Sequence, residues 1–235
     1  MTQTTSTAIY ENLSNNRLTH LDLYKDGPIE NLNLLTLILQ KGNTSLRSLC
    51  LDKFNAEPSE LVSLIDSLRT NNTLSSLTFN RVPITESVLT SLSELLKETQ
   101  TIRQLGIRSA GLTDESIQIL APGLQQNTSL VSLDLAGNDI QSKGVETLSQ
   151  SIAKHPSLSA LNLGNNDISD EGVNALASNI LPNTPLNFIS IDTNKLSAEA
   201  ITILVSRLRP KRGNLVNMEG PKMDPAIFIK TLQRN

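Results

Sequence analysis

Three residues near the N-terminus, His20, Asp22 and Cys50, are of the types that build a thiol nucleophile. Such a site needs the sulfur ionised by an imidazole, with an oxyanion donor beside it. A carboxylate next to the thiol works the other way, raising its pKa and weakening the nucleophile. His155 precedes Pro156 in what reads as a surface turn, with no second ligand at metal spacing. No GxxxxGKS or GxGxxG run offers a phosphate cradle. Cys50 is the single cysteine, which excludes an intramolecular disulfide or a cysteine-based zinc cluster and fits a reducing compartment. What remains is cationic: Lys25, Lys53 and Arg81 recur at a spacing of 28 residues.

That spacing belongs to the whole chain. An LxxLxL pattern begins at Leu18, Leu46, Leu74, Ile102, Leu130, Leu158 and Leu186, each 28 residues after the last. Leu215 reads as the start of a degenerate copy one residue late. Within each copy the apolar spacing switches from two residues to three or four, as in Val145, Leu148 and Ile152, so a strand is followed by a helix. Thr85, Thr113, Ser169 and Ser197 stand where hydroxyls can cap those helices, and Pro58 opens one through its preset φ. One such unit buries too little apolar surface to fold alone, so the stable object is a stack with atypical ends. The expected organisation is a capping helix in residues 1–17, seven repeats in 18–214, and a degenerate repeat with a closing helix from Asp224 and Pro225 in 215–235.

The copies LVSLDLAGNDIQSKGVETLSQSI and LSALNLGNNDISDEGVNALASNI resemble the leucine-rich repeats of the ribonuclease-inhibitor type. The resemblance implies an α/β leucine-rich-repeat solenoid, a horseshoe arc with a parallel sheet on the concave face and helices on the convex face. The asparagine of the family's turn stands at Asn138, Asn166 and Asn194, whereas earlier copies carry Asp26, Phe54, Val82 and Ala110. An amide can both donate to and accept from turn backbone, so the first half is expected to be locally less regular. Regulators of the nuclear-transport GTPase share the repeat length but usually end in an acidic tail, and this chain ends PAIFIKTLQRN.

On the concave side, strand alternation turns the third, fifth, seventh and eighth positions of each copy to solvent. Lys25, Lys53 and Arg81 then form a row with Arg108 beside it, a cationic strip that either Asp22, Asp26 and Asp52 or an acidic partner offsets. Interface anchors favour tyrosine, arginine and other large side chains, which makes Tyr24, Lys25, Lys53, Arg81, Arg108, Asp134, Phe188 and Asp192 the candidate protein-binding residues. Arg207, Arg209, Lys211 and Arg212 complement a helix C-terminus.

The chain has 235 residues, 38% hydrophobic, and a net charge of -3, so no global basic field draws it to nucleic acid, and stacking aromatics are missing from the strip. The longest apolar stretch, residues 34–39, is far too short to span a bilayer, and MTQTTSTAIYENL carries no secretory pattern. The expected function is non-enzymatic: an adaptor, inhibitor or scaffold gripping a protein partner, with no cofactor, metal or catalytic residue. Its alternatives are a secreted bacterial effector that binds a host protein and a regulator of a small GTPase. The expected location is cytoplasmic, or the host cytosol for an effector.

Overall fold

A computed structural model describes residues 4–24, 32–180 and 184–207, with side chains from residue 7, and the backbone of 215–217. Each apolar pair at period two becomes a strand: β1 (His20–Tyr24), β2 (Ser48–Asp52), β3 (Ser76–Asn80), β4 (Gln104–Arg108), β5 (Ser132–Asp134), β6 (Ala160–Asn162), β7 (Phe188–Ser190) and β8 (Leu215–Asn217). Helices alternate with them: α1 (Thr4–Ser14), α2 (Leu32–Gln40), α3 (Pro58–Ser67), α4 (Glu86–Glu98), α5 (Asp114–Gln126), α6 (Ser142–Ile152), α7 (Asp170–Asn179) and α8 (Ala198–Arg207). The strands form one parallel sheet in chain order. From β1 to β7 every paired residue lies 28 positions from its partner, as His20 with Ser48 and Ala160 with Phe188. The fold is an α/β leucine-rich-repeat arc.

The core is a stack of leucine layers. Leu49, Leu77, Leu105 and Leu133 point inward from neighbouring strands, and Leu64, Leu92, Leu120 and Leu148 meet them from the helices, all at most 2% exposed. Helices approach closely where glycine permits. A Cβ on Gly123 would come within 2.4 Å of the Ser93 carbonyl oxygen. At the N-terminal end α1 buries Leu13 against this core.

Two polar ladders run through the stack and satisfy backbone groups that loops would otherwise leave buried and unpaired. In one, Asn138 accepts the Ala110 and Leu112 N–H groups and donates to the Ile107 and Leu135 carbonyls, with Asn166 and Asn194 placed alike. The other occupies the turn entering each strand. Asn43, Asn71, Thr99 and Asn127 each accept two backbone N–H groups from the residues two and three ahead, and the three asparagines donate to a carbonyl of the preceding coil.

His155 takes the same place in the fifth coil. Its Nδ1 accepts from Ser157 and Leu158, and the residue is 4% exposed. It is therefore a buried ladder member, not the surface-turn residue expected from its neighbour Pro156.

Other expectations also change. Of the four proposed caps, Ser197 accepts the Ala200 N–H. Thr113 forms a capping box with Ser116, its hydroxyl accepting from the Ser116 N–H and donating to Glu115, whereas the Thr85 and Ser169 hydroxyls turn instead to Ser87 and Ser142. Pro58 does open α3. Leu215 pairs with Phe188 and Val216 with Ile189, so Leu215 holds the third position of its copy and not the first. The half expected to be less regular has the longer strands, five residues in β1 to β4 against three in β5 to β7. Asn138 and Asn166 claim the Leu135 and Leu163 carbonyls just past the strands, while Phe54, Val82 and Ala110 fill that space with apolar atoms and let the ladder run on. The proposed closing helix at Asp224 lies outside the described residues.

Candidate functional site

The concave face carries short side chains at Ser48, Cys50, Ser76, Thr78, Gly106, Ser132 and Ala160, with longer ones at His20, Gln104 and Phe188 and along the strand-exit rim. Register places Cys50 between Asp22 and Thr78. Burial pushes the Cys50 thiol up, Asp22 and Asp52 push the same way, and Arg108 opposes them. This is the environment of an unreactive thiol. The His20 ring makes a 2.9 Å hydrogen bond with the Thr19 hydroxyl. Gly106, Gly164 and Ser190, expected to face solvent, are buried. A Cβ on Gly106 would sit 3.1 Å from the Thr78 methyl, which explains why that position stays empty of side chain.

The eighth position of each coil decides the shape of the rim. Lys53, Arg81, Ser109, Gly137, Asn165 and Thr193 have φ of 51°, 55°, 48°, 73°, 52° and 57°. These side chains face solvent as expected, but not through the expected alternation, which would carry the eighth position to the core; the left-handed turn sends them out, and Lys53, Arg81, Ser109, Asn165 and Thr193 are exposed. Glycine and asparagine adopt this conformation readily, whereas other residues cost on the order of 1 kcal/mol there.

Backbone bonds tie the cations into neighbouring rungs. The Lys53 N–H donates to Asn80 and the Arg81 N–H to Arg108, both at 2.8 Å. Arg81 lies 3.1 Å from Asp52, whose carboxylate also accepts from the Asn80 amide at 2.9 Å. Arg108 reaches Asp134 through Nε at 2.7 Å and a terminal nitrogen at 2.6 Å, and the other Asp134 oxygen accepts the Ala136 N–H at 3.1 Å. Both guanidiniums are thus held in place by carboxylates that are themselves held.

The structure brings Lys53, Arg81, Arg108 and Asp134 together. Tyr24, 53% exposed, begins the row that continues through Asp52 and Asn80 to Arg108, so three strand spacings of about 5 Å separate it from that arginine. Phe188 and Asp192 lie at the other end of the arc, Phe188 half-buried beside Ala160 and Asp192 accepting the Ser190 hydroxyl. Lys25 and Asp26 lie outside the described residues. The partnership of Arg108 with Asp134 was not foreseen, although their positions in adjacent copies place them within reach. The His155 ladder was also missed; its signal is the recurring Asn or Thr before a Ser or Thr and a Leu or Ile, in NTSL, NNTL and TQTI.

Among the described residues no cluster of His, Cys, Asp or Glu could hold a metal ion, and no helix is long and apolar enough to cross a membrane. No curated protein matches the sequence. Solved structures that this chain is similar to include "Leiomodin-1 Actin-Binding Site 2", 21% identical over 54% of this chain and 76% of that one, with a TM-score of 0.46. A tropomodulin C-terminal domain from Caenorhabditis elegans is 13% identical over 75% and 90% of the two chains, with a TM-score of 0.49. A TLR13–ssRNA13 complex is 19% identical over 79% of this chain and 24% of that one, with a TM-score of 0.48. The family described as the PRAME C-terminal domain matches residues 4–228, and the chain belongs to it.

Proposed function

We propose that this PRAME C-terminal domain is a non-enzymatic protein-interaction module whose concave face and strand-exit rim receive a protein partner with an acidic surface. Its repeats are of the ribonuclease-inhibitor type, a reading supported by the 28-residue offset between paired strands. The observation that carries the proposal is the neighbouring pair Arg81 and Arg108, exposed yet immobilised by Asp52 and Asp134. Side chains ordered before binding lose little entropy on complex formation, and arginine is a favoured interface anchor. Tyr24 and Phe188 supply apolar contact at the two ends.

The test is affinity capture with the Arg81→Glu/Arg108→Glu double variant against the wild type, with circular dichroism to confirm that both are folded. Loss of captured proteins from a folded double variant is the expected result. An unchanged set of bound proteins would show that these two arginines do not form the docking site.

A further inference from the structure

The strand-exit turn poses a chemical question: why do two coils place lysine and arginine where the backbone favours glycine or asparagine? The same chain uses Gly137 and Asn165 at equivalent positions, so the low-strain solutions fit this fold. The fold gains little from the longer side chains. Both are exposed, Lys53 has no ion pair among the described residues, and the Arg81 pair with Asp52 is about half in water, where such pairs contribute little. Ser109 and Thr193 bear the same strain with short side chains, so strain alone marks no site; Lys53 and Arg81 differ in adding long exposed cations from two neighbouring coils, which points to binding.

We infer that Lys53 and Arg81 are retained against fold stability as the two-point dock for an extended acidic peptide segment that crosses the strand-exit rim. This rests on the interaction-module reading and narrows it from the whole concave face to one turn and one ligand chemistry. Neighbouring parallel strands put equivalent residues about 5 Å apart, within the span of carboxylates on one short acidic run. Arg81 contributes an oriented guanidinium, because Asp52, itself fixed by Asn80, holds one of its terminal nitrogens while the side chain stays about half exposed. Lys53 supplies a charge that has no ion pair among the described residues. Ser109, the next residue along the turn column, is short and uncharged, so the dock ends there.

The experiment measures two properties of the Lys53→Asn/Arg81→Asn variant, with Asn chosen because Asn165 already holds this turn. Urea denaturation should show a folding equilibrium constant raised roughly tenfold as the left-handed strain is relieved. Fluorescence anisotropy with a labelled hexaglutamate peptide in low salt should show binding weakened at least tenfold. A variant that is less stable than the wild type would overturn the claim of retention against stability. Unchanged peptide binding, or a wild type that binds labelled single-stranded DNA but not hexaglutamate, would overturn the acidic-peptide dock. Any of these failures leaves the broader reading to the Arg81→Glu/Arg108→Glu capture, which also probes Arg108 and does not depend on this peptide.

Discussion

Replacing His155 by asparagine should stabilise the protein, and the gain should grow as the solution is made more acidic. Nδ1 of His155 accepts from Leu158 at 3.1 Å and Ser157 at 3.4 Å, so the proton of the neutral ring sits on Nε2, which is buried without a partner among the described residues. Asn127 shows what the turn prefers: its Oδ1 accepts the equivalent N–H groups at 3.0 and 2.7 Å, and its Nδ2 donates to the Leu96 carbonyl at 2.7 Å. Relieving a buried orphan donor is worth about 2 kcal/mol, and losing about 40 Å³ of ring volume costs about 1 kcal/mol, which leaves a net gain of about 1 kcal/mol at neutral pH. Burial lowers the His155 pKa, so the unfolded chain binds more protons than the folded one. Stability from this group is therefore complete above the unfolded value near 6.5 and declines as the pH falls below it, by at most about 1.4 kcal/mol per unit. At pH 5 the variant should lead the wild type by up to about 3 kcal/mol. Urea denaturation of both proteins at pH 7.5 and pH 5 measures this. An equal difference at the two pH values would refute the buried-imidazole argument, and a less stable variant at both would refute the ladder.

Three further substitutions probe other parts of the stack. Thr36→Val in α2 removes a buried hydroxyl that has no partner among the described residues and should raise stability by about 1 kcal/mol in the same denaturation assay. Gly123→Ala forces a methyl group to 2.4 Å from the Ser93 carbonyl oxygen and should lower stability by more than about 2 kcal/mol, despite alanine's better helix propensity. Asp22→Asn removes a carboxylate that raises the Cys50 pKa, so iodoacetamide should alkylate the folded variant faster than wild type at pH 8, and equal rates would show that the carboxylate does not act on the thiol.

The repeat, its length, the strand-then-helix order and the leucine layers were legible because they are periodic, and burial of an apolar face imposes its period directly on sequence. The adjacency of Lys53 and Arg81 was legible for the same reason, since residues 28 apart become lateral neighbours once the coils stack. The partners of those cations depended on more than period. Asp134 lies one strand beyond Arg108 and in a different column, and only side-chain geometry decides that the two meet.

Position also overrode residue type. A histidine beside proline carries the marks of a surface turn, yet the stack buries His155 because its place in the coil is the one where two backbone N–H groups need an acceptor. The apolar residues Phe54, Val82 and Ala110 looked like defects in a turn that asparagine fills elsewhere, and they accompany the longer strands. Sequence alone thus determined the architecture and the chain of coils, because hydrophobic periodicity is a local property summed along the chain. Tertiary structure decided which charges are paired, which polar groups are buried and which side chains the left-handed turn throws outward, because each of these depends on what the neighbouring coil presents across the gap.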